Sequence, residues 1–515
     1  MKTFQNPILP GFYPDTSICR VKDDYYLVTS TFSYFPGVPI FHSKDLVNWK
    51  QIGHVLDRPS QLNLDGQIQS EGIFAPTIRY NNGIFYMITT NVGHGGNFLV
   101  TATDPAGPWS DPYYLEAPGI DPSLFFDEDG KAYYIGTRPA PEGEKYSGNW
   151  EAWLQELDLK TMKLVGESHG LWRGALRDAI WPEGPHLYKI DGMYYIMIAE
   201  GGTGPDHAVS IARSNSITGP YVGNPGNPIL THRHLGREYP VVNVGHCDLV
   251  ETQNGEWWSV GLASRIYGGY YRNLGRETFL FPLIWENGWP IMCPGVGKLE
   301  MTYPVPSLPE SKGHIPSVCD NFDEDNLDLK WNFLRTPKEE FYSLSQRPGY
   351  LTLKLRPERI TELVNPSFVG RRQQHIDFSA ATLMEFTPRS EKESAGIVLL
   401  QSNEFNFSFV YTKKGDANVL KLIKCAAKEE ELLKEIEICA DKLYLKVEAQ
   451  GQNYSFYYGE SSREYKTLIE NVDGRILSTD VAGGFVGTEL GLYASSNGTS
   501  SDNIAAFDWF EYIGL

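Results

Sequence analysis

The chain reads as all-β: a five-bladed β-propeller followed by a C-terminal β-sandwich. Three observations carry this. One hairpin motif recurs five times in the first three hundred residues, at intervals of roughly 45–65 residues, a spacing that suits propeller blades. A stretch rich in Pro, Ser and Gly follows, and beyond it apolar and polar residues alternate with period two and no sustained helical pattern.

The clearest repeat runs from Ala179 to Gly201. Glu183 sits in a Trp-Pro-Glu-Gly-Pro turn, followed by His186-Leu187-Tyr188, a turn at Asp191-Gly192, and a return through Tyr194-Tyr195-Ile196. Asp-Gly between two aromatic-rich runs is a strong hairpin signal, and Pro182 and Pro185 fix the backbone on either side of the acid. Asp15 precedes a turn at Asp23-Asp24 and the pair Tyr25-Tyr26, and Asp121 precedes Asp129-Gly130 and Tyr133-Tyr134. Two copies lack a leading acid: Phe74 stands before Asn82-Gly83 and Phe85-Tyr86, and His246 before Asn254-Gly255 and Trp257-Trp258. Blades around an axis point their innermost strands at a common channel, so Asp15, Phe74, Asp121, Glu183 and His246 are expected at its mouth. SKDLVNW, ATDPAGPW and ARSNSITGPY read as turns between outer strands. The bland alternative is that aromatic hairpins recur in any all-β chain.

The propeller is assigned to residues 1–302, a linker to 303–317 and the sandwich to 318–515. Within the sandwich, AKEEELLKEIEI (427–438) is compatible with helix or strand. The glycines of AGGFVGTELG suggest a loop that holds Phe485 outward, although core packing is the default for a phenylalanine.

With 45 Lys+Arg against 64 Asp+Glu the chain is acidic, which argues against nucleic acid and anionic membranes as partners and favours a neutral substrate. Six scattered cysteines form no metal-binding or disulfide pattern and read as buried thiols. The N-terminus as written has no apolar core for a signal peptide, and no later run approaches a membrane span. The expected location is cytoplasmic, or periplasmic or secreted if a leader has been removed.

Three acids at one end of a channel raise one another's pKa. Glycosidic cleavage needs this: one carboxyl still protonated to donate to the leaving oxygen, and one ionised to activate water or attack the sugar. Glu183, framed by Trp181, Pro182 and Pro185, is the candidate acid, Asp15 the base, and Asp121 the group that keeps Glu183 protonated and oriented. Taken singly, Asp15 and Asp121 also suit turn-forming roles beside Pro14 and Pro122.

NPILPGFYPD, TFSYFPGVPIFHSKDLVNW, GIDPSLFF, WPEGPHLYK and LGRETFL together resemble glycoside hydrolase family 43, in particular its two-domain β-xylosidase and α-L-arabinofuranosidase branch. The resemblance implies a five-bladed propeller with a concanavalin-like sandwich, and single-displacement hydrolysis that inverts the anomeric centre. It assigns Asp15 as base, Glu183 as acid and Asp121 as the residue tuning that acid, with the first two about 6.5–9.5 Å apart. Arg276 resembles an arginine that binds sugar hydroxyls, with a surface ion pair as the alternative, and Phe32 an aromatic wall, with core packing as the alternative. Phe74 stands where many relatives have Trp, and Phe485 where their sandwich inserts an aromatic into the site. His246 is either a pocket histidine or, as in parts of the family, a participant in calcium binding on the propeller axis; no cofactor is otherwise required.

The expected activity is removal of a terminal pentose, foremost β-1,4-linked D-xylose from xylo-oligosaccharides, with α-L-arabinofuranosidase or dual activity on arabinose-substituted oligosaccharides as runner-up. A non-catalytic carbohydrate-binding protein and a retaining fructan hydrolase are the competitors. A homo-oligomer is compatible with the sequence.

Overall fold

Each recurrent turn closes an antiparallel hairpin in the computed structural model, which describes residues 2–311, 313, 317–461 and 464–515. The hairpins pair Ser17–Val21 with Asp24–Val28, Ile73–Asn81 with Ile84–Asn91, Ile120–Phe126 with Ala132–Pro139, Glu183–Ile190 with Met193–Glu200, and Val241–Glu251 with Trp257–Arg265. In the first, the turn residues are Lys22 and Asp23, and Asp24 already begins the returning strand. Each hairpin gains two further strands to make a blade, and the fourth adds a short fifth, Leu230–Thr231. SKDLVNW, ATDPAGPW and ARSNSITGPY span the turns between outer strands. The pair Thr3–Gln5 with Thr302–Pro304 ties the two ends of the propeller.

The innermost strands share a backbone feature that sets where side chains point. Asp15, Ala75, Asp121, Gly184 and His246 all have positive φ, between 32° and 56°. Register irregularities accompany this position in the four later blades. A left-handed residue costs about 1–2 kcal/mol when it carries a Cβ, so four of these five positions hold strain at the channel mouth. The shared register also refines the sequence alignment: Phe74 and Glu183 stand one residue before the left-handed position, which Ala75 and Gly184 occupy. Gly184 is required there, because a Cβ would lie 2.8 Å from the His246 ring.

The C-terminal half is a sandwich of an eight-stranded and a six-stranded sheet. The segment open to helix or strand is the strand Glu429–Glu437, paired with Ala417–Ala426 across a turn at Ala427-Lys428 whose residues both have positive φ. It edges the six-stranded sheet, and its run of Glu and Lys suits an exposed edge. Propeller and sandwich share apolar cores. Phe35, Val38 and Ile40 pack in one cluster with Phe333, Phe341 and Leu399, and the short strand Phe333–Leu334 pairs with Tyr34–Phe35. Of the residues expected to form the linker, Tyr303 and Pro304 belong to a strand, while 312 and 314–316 lie outside the described residues. Four cysteines are buried as expected, but Cys319 is partly exposed and Cys439 is exposed. No described helix is long and apolar enough to cross a membrane.

Candidate active site

The carboxyls of Asp15, Asp121 and Glu183 line one cavity of ≈290 Å³ at the propeller mouth, together with Phe32, Phe74, His246, Arg276 and Phe485. Every residue singled out from the sequence is therefore in one place.

Asp15 is held by three donors. Arg276 gives Nη1 to Oδ1 at 2.6 Å and Nη2 to Oδ2 at 3.2 Å, and Ser30 Oγ donates to Oδ2 at 2.7 Å. Ser30 Oγ in turn accepts the Ala75 N–H at 2.8 Å, which links the first two blades beneath the site. His246 Nδ1 lies 3.7 Å from Asp15 Oδ1. Arg276 is only 7 % exposed, so the surface ion-pair alternative does not hold. Its guanidinium lies 5.4 Å from the Phe32 ring and 5.6 Å from the Phe485 ring, within cation–π range.

Glu183 is aimed from both sides. The carbonyl of Pro182 accepts from Thr137 Oγ1 at 2.6 Å, and that of Pro185 from Ser123 Oγ at 2.5 Å, so two hydroxyls of the third blade pin the prolines flanking the acid. Asp121 Oδ2 accepts the N–H of the next residue, Gly184, at 3.0 Å. The Glu183 carboxyl has no hydrogen-bond partner among the described residues and is left to the cavity. Burial, followed by the charges of Asp121 and Asp15, pushes its pKa well above the usual range. Asp121 is also raised, first by burial and then by Asp15, with His246, Arg276 and the Gly184 N–H acting against.

Aromatic rings close the other sides. The Phe32 and Phe74 rings are 5.0 Å apart, and Phe485 lies 6.0 Å from Phe32 and 6.1 Å from Phe74. The default core assignment of Phe485 gives way: it is 37 % exposed and reaches across from the sandwich, with its N–H donated to Ser70 Oγ of the propeller at 2.9 Å.

Sequence reasoning missed Trp150, Thr203 and His207, which also line the cavity, and used Trp181 only as a frame for Glu183 although it too faces the cavity. His207 donates Nδ1–H to the Asn243 carbonyl at 2.9 Å and is held down to about 4 by burial, so Nε2 is an unprotonated acceptor. For Thr203 and His207 the only signal was the glycine-rich run Gly201–His207, which marks a loop without saying what it faces.

Below the cavity, the axis carries a separate charge cluster. Arg79 gives Nη1 to Asp248 Oδ2 at 2.8 Å and Nη2 to Oδ1 at 3.2 Å, and Tyr188 Oη and Ser17 Oγ donate to the same carboxylate at 2.7 and 2.8 Å. Asp248 is lowered despite its burial, chiefly by Arg79. Among the described residues, no cluster of three or more His, Cys, Asp or Glu is arranged to hold a metal ion.

A propeller that collects three carboxyls in one aromatic-walled pocket, with the pKa of Glu183 pushed well above the usual carboxyl range, has the design of a glycoside hydrolase. The chain belongs to glycosyl hydrolases family 43, whose profile matches residues 4–290. A second profile, the β-xylosidase C-terminal concanavalin A-like domain, matches residues 319–513. The chain is 53 % identical to a xylosidase/arabinosidase of Butyrivibrio fibrisolvens over 98 % of each chain. It is 40 % identical to a non-reducing end α-L-arabinofuranosidase of Bacteroides ovatus, over 99 % of this chain and 95 % of the other. Among solved structures, a xylan β-1,4-xylosidase from Bacillus halodurans C-125 superposes with a TM-score of 0.93 at 37 % identity, over 99 % of each chain.

Proposed function

We propose that this chain is an exo-acting, inverting glycosidase that releases a terminal pentose, with Glu183 as general acid and Asp15 as general base. The observation that carries the reading is the asymmetry of the two carboxyls in one pocket. Glu183 has no hydrogen-bond partner among the described residues and its pKa is pushed well above the usual carboxyl range by burial, whereas Asp15 is clasped by Arg276 and Ser30. Glu183 donates its proton to the glycosidic oxygen as the bond to the anomeric carbon breaks. Asp15 takes a proton from a water that attacks the opposite face, so the configuration inverts. Asp121 acts on Glu183 through its charge and its hold on the Gly184 N–H. Phe32, Phe74 and Phe485 wall the sugar ring, and His246 offers a hydrogen bond beside Asp15. In this reading the propeller (1–302) supplies the chemistry, and the sandwich (318–515), reached through 303–317, supplies the roof.

The substrate is first a β-1,4-D-xyloside of short xylo-oligosaccharides. α-L-Arabinofuranoside cleavage is the second reading, favoured by the names of the 53 % and 40 % identical relatives. Parallel assays on the two aryl glycosides decide between them, and a xyloside rate far below the arabinofuranoside rate overturns the first choice. NMR of the anomer first released tests inversion. Glu183→Ala should abolish hydrolysis and keep sugar binding, and a wild-type protein that binds pentosides without turnover would be a binding module.

Calcium at His246 fits the residues poorly. A hard cation needs several oxygen ligands. The carboxylate beside His246 is committed to a guanidinium, and the Asp248 carboxylate below is committed to Arg79. Chelation should leave the rate unchanged, and a loss restored by calcium would reverse this assignment.

A further inference from the structure

We infer that Arg272 is a positioning residue, one that holds the roof and one wall of the pentose pocket in register with each other. The inference rests on the proposed function and adds a residue outside the carboxyl machinery.

Two links converge on its guanidinium. On the roof side, Arg272 gives Nη2 and Nε to Asp480 Oδ1 at 2.8 and 3.0 Å, and its backbone N–H meets Asp480 Oδ2 at 2.8 Å. Asp480 lies in the short helix Thr479–Ala482, directly ahead of the loop that carries Phe485. On the wall side, with the Asn243 amide assigned so that both of its ends are satisfied, its oxygen accepts from Arg272 Nη1 at 2.6 Å and its nitrogen donates to the Gly204 carbonyl at 3.0 Å. The backbone carbonyl of Asn243 receives His207 Nδ1–H, and Gly202, Thr203 and His207 all line the pocket. One side chain therefore connects the sandwich loop above the sugar to the propeller loop beside it.

The pair is unlike an ordinary surface bridge. The Arg272 and Asp480 side chains are only 15 % and 13 % exposed, and the contact is multidentate, the geometry in which charge-assisted hydrogen bonds are strongest. The roof also needs an external hold. Gly483 and Gly484 have φ of 76° and 77°, and a Cβ on Gly484 would fall 2.2 Å from Ser70 Oγ, so the loop is built from the least self-constrained residues. Within the sandwich Gln401 Nε2 donates to the Gly483 and Val486 carbonyls at 3.4 and 3.3 Å, and the propeller adds Ser70 at the tip and Arg272 at the base. Arg272 touches neither Asp15 nor Glu183, so its loss should weaken sugar binding far more than the chemical step.

The test is steady-state kinetics of the full chain on an aryl pentoside, with inhibition by the free pentose, for Arg272→Ala, Asp480→Asn and the exchanged pair Arg272→Asp/Asp480→Arg. We expect KM and the inhibition constant to rise together by about tenfold in both single variants, with kcat held within about threefold. The exchanged pair should recover at least about threefold of the loss in KM. KM within twofold of wild type in both single variants, or a fall in kcat with KM unchanged, overturns the inference. Should Arg272→Ala unfold, as read by circular dichroism, the milder Asp480→Asn decides alone. If the wild-type protein turns over no pentoside, the proposed function has failed, and calorimetric titration of the same variants with the free pentose still tests the clasp.

Discussion

Two clusters lie on the propeller axis, each built from carboxyls and a guanidinium, and they behave oppositely. At the mouth, Asp15, Asp121 and Glu183 share one arginine, Arg276, and the two acids that it does not touch are pushed up in pKa. Below it, a single carboxylate, Asp248, has Arg79 to itself with Tyr188 and Ser17 as further donors, and its pKa is pushed down. Burial is common to both. The ratio of counter-charges to carboxyls separates a group poised to give up a proton from one fixed as a structural ion pair.

The sharpest way to break the contrast is at the mouth. Asp15→Asn keeps the shape and removes the base, and kcat should fall by about 10³-fold or more on an unactivated oligosaccharide. Next in size is the axis: Arg79→Met leaves Asp248 buried and unpaired and should cost about 3–5 kcal/mol in denaturant unfolding, with much of it regained in Arg79→Met/Asp248→Asn. A smaller effect is expected of Asp121→Asn, which removes the negative neighbour of Glu183. The alkaline limb of the rate profile should move to lower pH as Glu183 loses its proton earlier, with kcat down by about 10–100-fold. The smallest effect concerns stability. Because Asp121 and Glu183 have pKa values raised on folding, the folded chain keeps protons that the unfolded chain releases, and stability falls as pH climbs through the ordinary carboxyl range toward the raised values. Glu183→Gln should therefore raise Tm at neutral pH by roughly 1–3 °C, and the gain should vanish in acid.

Much of this was legible in the residues. Recurrent turns and aromatic pairs show in sequence because hairpins are local, and five of them in series imply the blades. The three acids were visible because each stands at the same distance ahead of its turn, to within a residue. That residue matters: the left-handed position belongs to Ala75 and Gly184, and only backbone torsion shows it. Thr203 and His207 were not legible, since they sit on a loop between strands whose direction is set by packing across blades, and Trp150 was not, since it opens a strand that no turn motif marks. Arg79 and Asp248 escaped notice because a buried ion pair between distant strands leaves no local pattern. The role of Phe485 depended on contact between two halves of the chain, which glycines alone suggest without locating.

Phe485 also fixes when the pocket comes into being. During synthesis the five blades leave the ribosome before the ring that roofs them, so a propeller folded at that stage would hold its carboxyls in an open bowl. A closed pocket for a single sugar would then form only once the sandwich has folded onto it, so that the last part of the chain to be made would decide when the first part becomes selective.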